Sequence, residues 1–321
     1  MMFFEGSEKK TEILIDADQL SLLNDINDEF WAALVNCSQA KILSSISNEH
    51  CKAFLLSESS LFVWHDRILM LTCGETQLVN AVEYFIQEIG SAVIKHLTYQ
   101  RKNEYFANAQ PSCFGDDIKL ISQYLPGKAY RFGEMDNHHN YVFHLDNDFV
   151  ADADDITYEL LAYQISEQAS LHLTQENLTN QEIRDFLRLD RLLPNFIIDD
   201  FVFSPYGYSL NAIYQQHYLT IHVTPQMDSS YISFESNIDL LELAPTLIDI
   251  LAPKSFDLMS FNEQAFEAKV AQYIPPQYVS KSKVSKQLDN GYLVHFSNYV
   301  LPQTTFIEPI ELDISGENHA L

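Results

Sequence analysis

Between residues 195 and 236 the chain passes through four apolar stretches of strand length, NFIIDDFVFS, YSLNAIY, YLTIHVT and SYISFES, with only short turns between them. Connections this short join antiparallel neighbours, because a parallel crossover needs a dozen or more residues. The first half shows the same habit. TEILI (11–15) reads as a strand, 52–72 as hairpin material, and further strands fall near 96–101, 128–133 and 140–145. Helical spacing appears between them. Asp18 is placed to cap a helix with the stripe Leu23, Ile26, Phe30 and Leu34, and 76–94 carries Leu78, Val82, Phe85 and Ile89 on one face. In the second half the strand-like ITYELLAYQI precedes the helical NQEIRDFLRL. Helices at 238–251 and 262–273 flank the strand SFDLMSF, and PPQYVSKSKVSKQLDNG reads as a loop. Hairpins and helices thus recur in one order in both halves, roughly 1–150 and 151–321, which points to an internal duplication. Antiparallel sheets with helices on one face make this an α+β chain.

Composition removes several function classes. The 45 acids against 19 bases leave a net charge of −26, a surface that repels nucleic acid and anionic membranes. No apolar run approaches the ~20 residues of a membrane helix, and MMFFEGSEKK lacks the apolar stretch of a secretory signal. Four cysteines, Cys37, Cys51, Cys73 and Cys113, show neither paired spacing nor zinc-site spacing, which suits a reducing cytoplasm and predicts no metal. A content of 46% hydrophobic residues supplies a sizeable core, and a length of 321 residues allows two units or one large sheet domain.

LLSESSLF (55–62) poses a sharper question. AFLL before it and LFVW after it read as one strand, joined by a turn at HDR to a second, ILMLT. An acid and two hydroxyls inside a buried strand cost stability unless they are hydrogen-bonded or have chemistry to perform. Other fragments also carry reactive groups. FFEGSE brackets a glycine with Glu5 and Glu8 beside two aromatics. TCGET leaves Cys73 at a strand end ahead of a helix, where a helix N-terminus lowers a thiol pKa. FSPYGYSLN delivers Ser209 from a turn, and alternation in YLTIHVTP sets Thr220 and His222 on one strand face, opposite Leu219, Ile221 and Val223.

Taken together, FFEGSEK, LSESSLF, TCG, PYGYSLN and TIHVTP with SYISFES resemble, in order and spacing, the eukaryotic-type S-adenosylmethionine decarboxylases. The likeness runs from about Phe3 to about Pro253 and thins over the last sixty-odd residues. It implies a single domain folded as a four-layer α/β/β/α sandwich of two large antiparallel sheets. It also implies a proenzyme that cuts itself between Glu58 and Ser59 into β and α chains. The Ser59 hydroxyl attacks the Glu58 carbonyl, Ser209 and His222 assist, and a pyruvoyl group remains at position 59. That self-derived cofactor forms a Schiff base with the amine of S-adenosylmethionine and accepts electrons as carbon dioxide leaves. The product feeds aminopropyl groups into spermidine and spermine synthesis.

By the same resemblance Cys73 is the acid that reprotonates the substrate, and Glu5 and Glu8 are active-site acids. Phe4 and Phe203 sandwich the adenine, and the backbone at Leu56 and Glu58 reads its edge. The ribose position departs from the family pattern: Gln226 stands where a Glu is usual, and an amide has one acceptor oxygen where a carboxylate has two. Glu12, Asp155, Thr157, Glu159 and Glu235 match a putrescine site. The lysine that animal members carry before TCG is Leu71 here, so the carboxylates are expected to lack a cation that a diamine would supply. Family members occur as monomers and as homodimers. Three other readings stay open: a pyruvoyl decarboxylase of another amino acid, a non-catalytic regulatory homologue, and a Ser/His hydrolase, the last without a GxSxG elbow.

Overall fold

The computed structural model describes residues 8–104, 108, 110–135, 138–225 and 230–303. The apolar runs become two eight-stranded sheets, antiparallel at each pairing. The first contains β1 (Lys9–Ile15), β2 (Ile42–Ser47), β3 (Lys52–Leu56), β4 (Ser59–Val63), β5 (Arg67–Thr72), β6 (Ile94–Lys102), β7 (Gly127–Gly133) and β8 (His139–Leu145). Its spatial order is β2-β3-β4-β5-β1-β6-β8-β7. The second contains β9 (Thr157–Tyr163), β10 (Ile197–Val202), β11 (Tyr208–Tyr214), β12 (His217–Thr224), β13 (Tyr231–Ser236), β14 (Ser255–Phe261), β15 (Val279–Gln287) and β16 (Leu293–Val300). Its order, β10-β11-β12-β13-β9-β14-β16-β15, repeats the first position by position.

Helices cover the outer faces, as their apolar stripes require. Over the first sheet lie α1 (Leu22–Asp25), α2 (Asp28–Cys37), α3 (Leu78–Ile89) and α4 (Phe114–Ile121). There Trp31, Leu34, Phe85 and Phe114 share a core with Ile13, Leu61 and Met70. Over the second lie α5 (Glu167–Leu173), α6 (Asn180–Phe186), α7 (Leu189–Leu192), α8 (Leu240–Leu251) and α9 (Phe266–Tyr273). Leu241, Leu247 and Phe266 pack there with Leu160, Ile221 and Phe234. The result is the expected four-layer α/β/β/α sandwich. Among the described residues no helix is long and apolar enough to cross a membrane.

The space between the sheets is apolar only toward its two sides. Phe62, Leu69 and Leu71 meet Ile213 and Tyr218 on one side, and Phe132 and Val142 meet Met259, Phe261 and Phe296 on the other. Between them the facing strands β1, β6, β9 and β13 bury Lys10, Glu12, Lys102, Glu159, Ser233 and Glu235. Charges are rare in such a place unless paired or functional.

Four local expectations change. The helix expected after Asp18 breaks in two, and its longer part is capped by Asn27, whose Oδ1 accepts the Phe30 N–H at 3.0 Å. The helix expected over 76–94 ends at Ile89, because Gly90 turns the chain with φ of 91°. The segment expected as a loop contains β15, an exposed edge strand of alternating serine and lysine. With no apolar face it carries no strand pattern, and it forms on the ladder that β16 offers. Most important, LLSESSLF is not the interior of one strand. Ser57 and Glu58 form the turn of a hairpin, with Leu56 paired to Ser59.

Candidate active site

The hairpin turn presents the peptide between Glu58 and Ser59 in an unusual state. Ser59 has φ of 138°, a region that an L side chain rarely occupies and that costs on the order of 1–3 kcal/mol. Specific contacts hold it there. Because β4 pairs with β5 (Ser59 opposite Thr72), the next residue, Cys73, lies against the turn. The Cys73 N–H donates to the Glu58 carbonyl oxygen at 3.1 Å, and its Sγ approaches the same oxygen at 3.5 Å. On the other side the Ser59 hydroxyl lies 2.8 Å from His222 Nε2, reaching across from one sheet to the other.

His222 owes its position to register. It pairs with Ser209 across β11 and β12, and the Ser209 hydroxyl lies 3.0 Å from its Nδ1. Alternation along β12 points Thr220 and His222 into the space between the sheets and sends Leu219, Ile221 and Val223 to the helix side, as the sequence indicates. Burial pushes the imidazole pKa down to about 4, with Glu8 opposing and Lys102 adding to the shift, so the ring is neutral near pH 7.

Glu8 enters from the first residue before β1. Its carboxylate accepts from Lys102 Nζ at 2.5 Å, from the Ser233 hydroxyl at 2.7 Å and from the Tyr231 hydroxyl at 3.3 Å. Burial raises its pKa, but the Lys102 charge and the hydrogen bonds from Lys102 and Ser233 outweigh burial and hold it below the usual range. Cys73 corrects an expectation. It lies in a turn five residues before α3 rather than at the helix N-terminus, and burial, with Glu58 and Glu8 adding, pushes its thiol up to about 12. It is therefore a protonated thiol, suited to an acid and not to a thiolate nucleophile.

Leu56 is fully buried at the end of β3, and Glu58 is half-buried, with its carboxyl raised by burial. Phe203 is half-buried after β10, edge-on to Phe201 with ring centroids 4.9 Å apart. Phe4, Glu5 and Gln226 lie outside the described residues.

The five residues matched to a diamine site do converge, but the expected gap in charge is filled. Lys10 Nζ bonds Glu235 at 2.6 Å and Glu159 at 2.9 Å, and Lys102 Nζ reaches the other Glu159 oxygen at 2.9 Å. Arg67 joins Glu12 at 2.9 Å to Asp155 at 2.7 Å, where these residues and Thr157 line a cavity of about 340 Å³ at the opposite end of the sandwich. So the lysine absent before TCG is replaced by two others. One of them was legible: alternation along KKTEILI sets Lys10 on the same face as Glu12. Lys102, at the far end of β6, had no such signal, since its proximity to Glu8 exists only after β1 inserts beside β6.

The fold places these groups in the class of two-sheet sandwiches with a polar site at the strand ends. A family model described as Adenosylmethionine decarboxylase matches residues 1–300. The chain belongs to the adenosylmethionine decarboxylase family. Three similar proteins each bear the name S-adenosylmethionine decarboxylase proenzyme. The Dictyostelium discoideum protein is 29% identical over 92% of this chain and 85% of its own. The Xenopus laevis protein is 29% identical over 95% of each, and the Caenorhabditis elegans protein 33% over 74% of this chain and 70% of its own. Among solved structures, the Trypanosoma brucei AdoMetDC-delta26 monomer shares the fold. Its TM-score is 0.61 at 21% identity, over 76% of this chain and 99% of that one.

Proposed function

We propose that this chain is a proenzyme that divides itself between Glu58 and Ser59 and then decarboxylates S-adenosylmethionine. The observation that carries the reading is the pairing of a strained Ser59, its hydroxyl 2.8 Å from a neutral imidazole, with a Glu58 carbonyl that accepts the Cys73 N–H. In the first step the Ser59 Oγ attacks the Glu58 carbonyl carbon and its proton passes to His222 Nε2. Negative charge then collects on the oxygen that faces the Cys73 N–H and thiol, a two-donor oxyanion site. The C–N bond breaks as the nitrogen of residue 59 takes up the proton, and the amide has become an ester. His222, neutral again, takes the Ser59 Cα proton as Glu58 departs as a carboxylate, which separates residues 1–58 from 59–321. Water then releases ammonia and leaves a pyruvoyl group at position 59.

The residues fit that self-derived group, since its precursor serine already lies between a base and an oxyanion site. The pyruvoyl group supplies an electrophilic carbonyl, the electron sink that decarboxylation of an amino acid requires. Cys73 holds a proton on Sγ at the turn, ready for the carbon that loses carbon dioxide. Glu8 keeps a negative charge beside His222, and Phe203 offers a flat face to adenine and its neighbouring sulfonium, the role that the family resemblance also gives to Phe4. The repeated strand order supports one domain of two duplicated halves. The acidic cluster is read as supplied with its cations from within, by Lys10, Lys102 and Arg67, without need of putrescine. The four free cysteines accord with work in the cytoplasm. A regulatory homologue has no need of this full set of groups.

Intact-mass analysis tests the reading: wild-type protein yields two chains, the larger without a free amino terminus, and Ser59→Ala stays whole. The divided protein releases carbon dioxide from S-adenosylmethionine faster than from ornithine or arginine. A wild-type chain that keeps its full mass on prolonged incubation would overturn it.

A further inference from the structure

The imidazole that receives the Ser59 proton is crowded by hydroxyls. Besides Ser59 Oγ at 2.8 Å, His222 Nε2 has Thr220 Oγ1 at 2.9 Å and Ser60 Oγ at 3.4 Å. A neutral imidazole acceptor nitrogen has one lone pair in the ring plane, so it accepts one good hydrogen bond. If the Thr220 proton takes that lone pair, the Ser59 proton has no base. Distance does not settle the competition, because 2.8 and 2.9 Å are equivalent.

Asn211 settles it. Its Oδ1 accepts from Ser60 Oγ at 2.6 Å and from Thr220 Oγ1 at 3.2 Å, drawing both competing protons away from the ring. A carbonyl oxygen has two lone pairs, one for each hydroxyl. Register makes this possible. Asn211 pairs with Thr220 across β11 and β12, two residues along from the Ser209–His222 pair, so both pairs share one face of the sheet. Ser60, next to the attacking serine, meets them from the first sheet. Asn211, Thr220 and Ser60 are all fully buried, and among the described residues Asn211 Nδ2 has no partner. An amide buried with its nitrogen unpaired carries a real cost. It is held for its oxygen.

We propose that Asn211 is a positioning residue for self-processing: it takes up the Ser60 and Thr220 protons and thereby reserves the His222 Nε2 lone pair for Ser59. Without that oxygen, Ser60 donates to Thr220 Oγ1, 3.1 Å away, and Thr220 donates to Nε2. Such a chain is cooperative, since each bond strengthens the next, and Ser59 loses its acceptor. The inference rests on the self-processing reading above and adds a residue to it.

The test is the rate of chain division in full-length protein with Asn211→Leu, alone and combined with Thr220→Val. Asn211→Leu removes the oxygen and should slow division about tenfold, the scale of one net hydrogen bond. The added Thr220→Val removes the competitor that Asn211 restrains, and should return the rate to within about threefold of wild type. A purely structural Asn211 predicts no such recovery, so single and double variants dividing equally slowly would overturn the assignment. So would Asn211→Leu dividing at the wild-type rate. Asn211→Ala, which adds no bulk, carries the same comparison if the leucine does not fold, with thermal unfolding reporting folding in each case. The wild-type control separates the two readings: a chain that never divides overturns self-processing altogether, whereas a dividing wild type with an unaffected Asn211 variant overturns only the role given to Asn211.

Discussion

Replacing Lys10 by alanine leaves Glu159 and Glu235, each no more than 2% exposed, with Lys102 as the nearest remaining ammonium. Removing one member of a buried ionic cluster costs about 3–5 kcal/mol. A chain of this length loses roughly 0.7 kcal/mol of stability per degree near its midpoint, so Tm should fall by about 4–7 °C. The size of the fall should depend on pH. Burial already pushes Glu235 up to about 7, and Lys10 is the largest influence opposing that rise. A carboxyl raised in the folded state is most compatible with folding when protonated and becomes less so as pH rises through its folded pKa. Without Lys10 the Glu235 pKa climbs further, so the loss in Tm should be smaller at pH 6 than at pH 8. The variant also has an emptied cation position. Putrescine at about 100 times its Kd would restore roughly 2.7 kcal/mol, or about 4 °C, to Lys10→Ala, and much less to the wild type, where the lysine is present. Differential scanning calorimetry at two pH values, with and without putrescine, reads all of this. Equal diamine stabilisation of both proteins, or a loss independent of pH, would refute the argument that Lys10 is the internal cation.

Three further outcomes are expected. On the proposed mechanism chain division needs neutral His222, whose pKa burial lowers to about 4, so its rate should stay level from pH 8 to about 5 and fall only below that. A midpoint near the ordinary histidine value of about 6.5 would contradict the buried, neutral ring. Cys73→Ala keeps its backbone N–H on the Glu58 carbonyl and loses its proton-bearing sulfur, so it should still divide, more slowly for want of the thiol donor, while the divided protein turns over at least about tenfold more slowly; separate assays of division and carbon dioxide release distinguish the two. Gln226→Glu should lower KM for S-adenosylmethionine several-fold with kcat little changed, because a charge-assisted bond is roughly twice as strong as a neutral one; an unchanged KM removes the ribose contact from the reading.

Much of this was legible along the chain, for reasons that differ by residue. His222 and Thr220 were placed on the correct face because strand alternation is local, and the pairing of hairpins along one sheet followed from their short connections. The turn at Ser57–Glu58 was not legible, since the apolar residues on both sides continue the pattern of one strand; the break comes from Ser59 adopting positive φ, which only contacts from Cys73 and His222 sustain. Cys73 was misjudged for a related reason. Its thiol is governed by burial, with Glu58 and Glu8 adding, and not by the helix five residues on. Lys102 and Asn211 act through partners brought by long-range register, and nothing in their immediate sequence announces it.

The position of β1 has a consequence for the molecule if it divides at the proposed bond. Residues 1–58 contain β1, β2 and β3, and β1 lies between β5 and β6, hydrogen-bonded to both. The short piece would then supply three strands of this sheet, two at one edge and β1 between strands of the long piece, so it could not leave without opening the sheet. While folded, the divided protein holds together without a covalent link. Once melted, its two pieces must find each other by diffusion, and the strained hairpin that aligned them in the newborn chain no longer exists. Assembly and cutting are consequently ordered in time: such a protein is folded once, as a single chain, and heat that merely unfolds the precursor would destroy the finished enzyme.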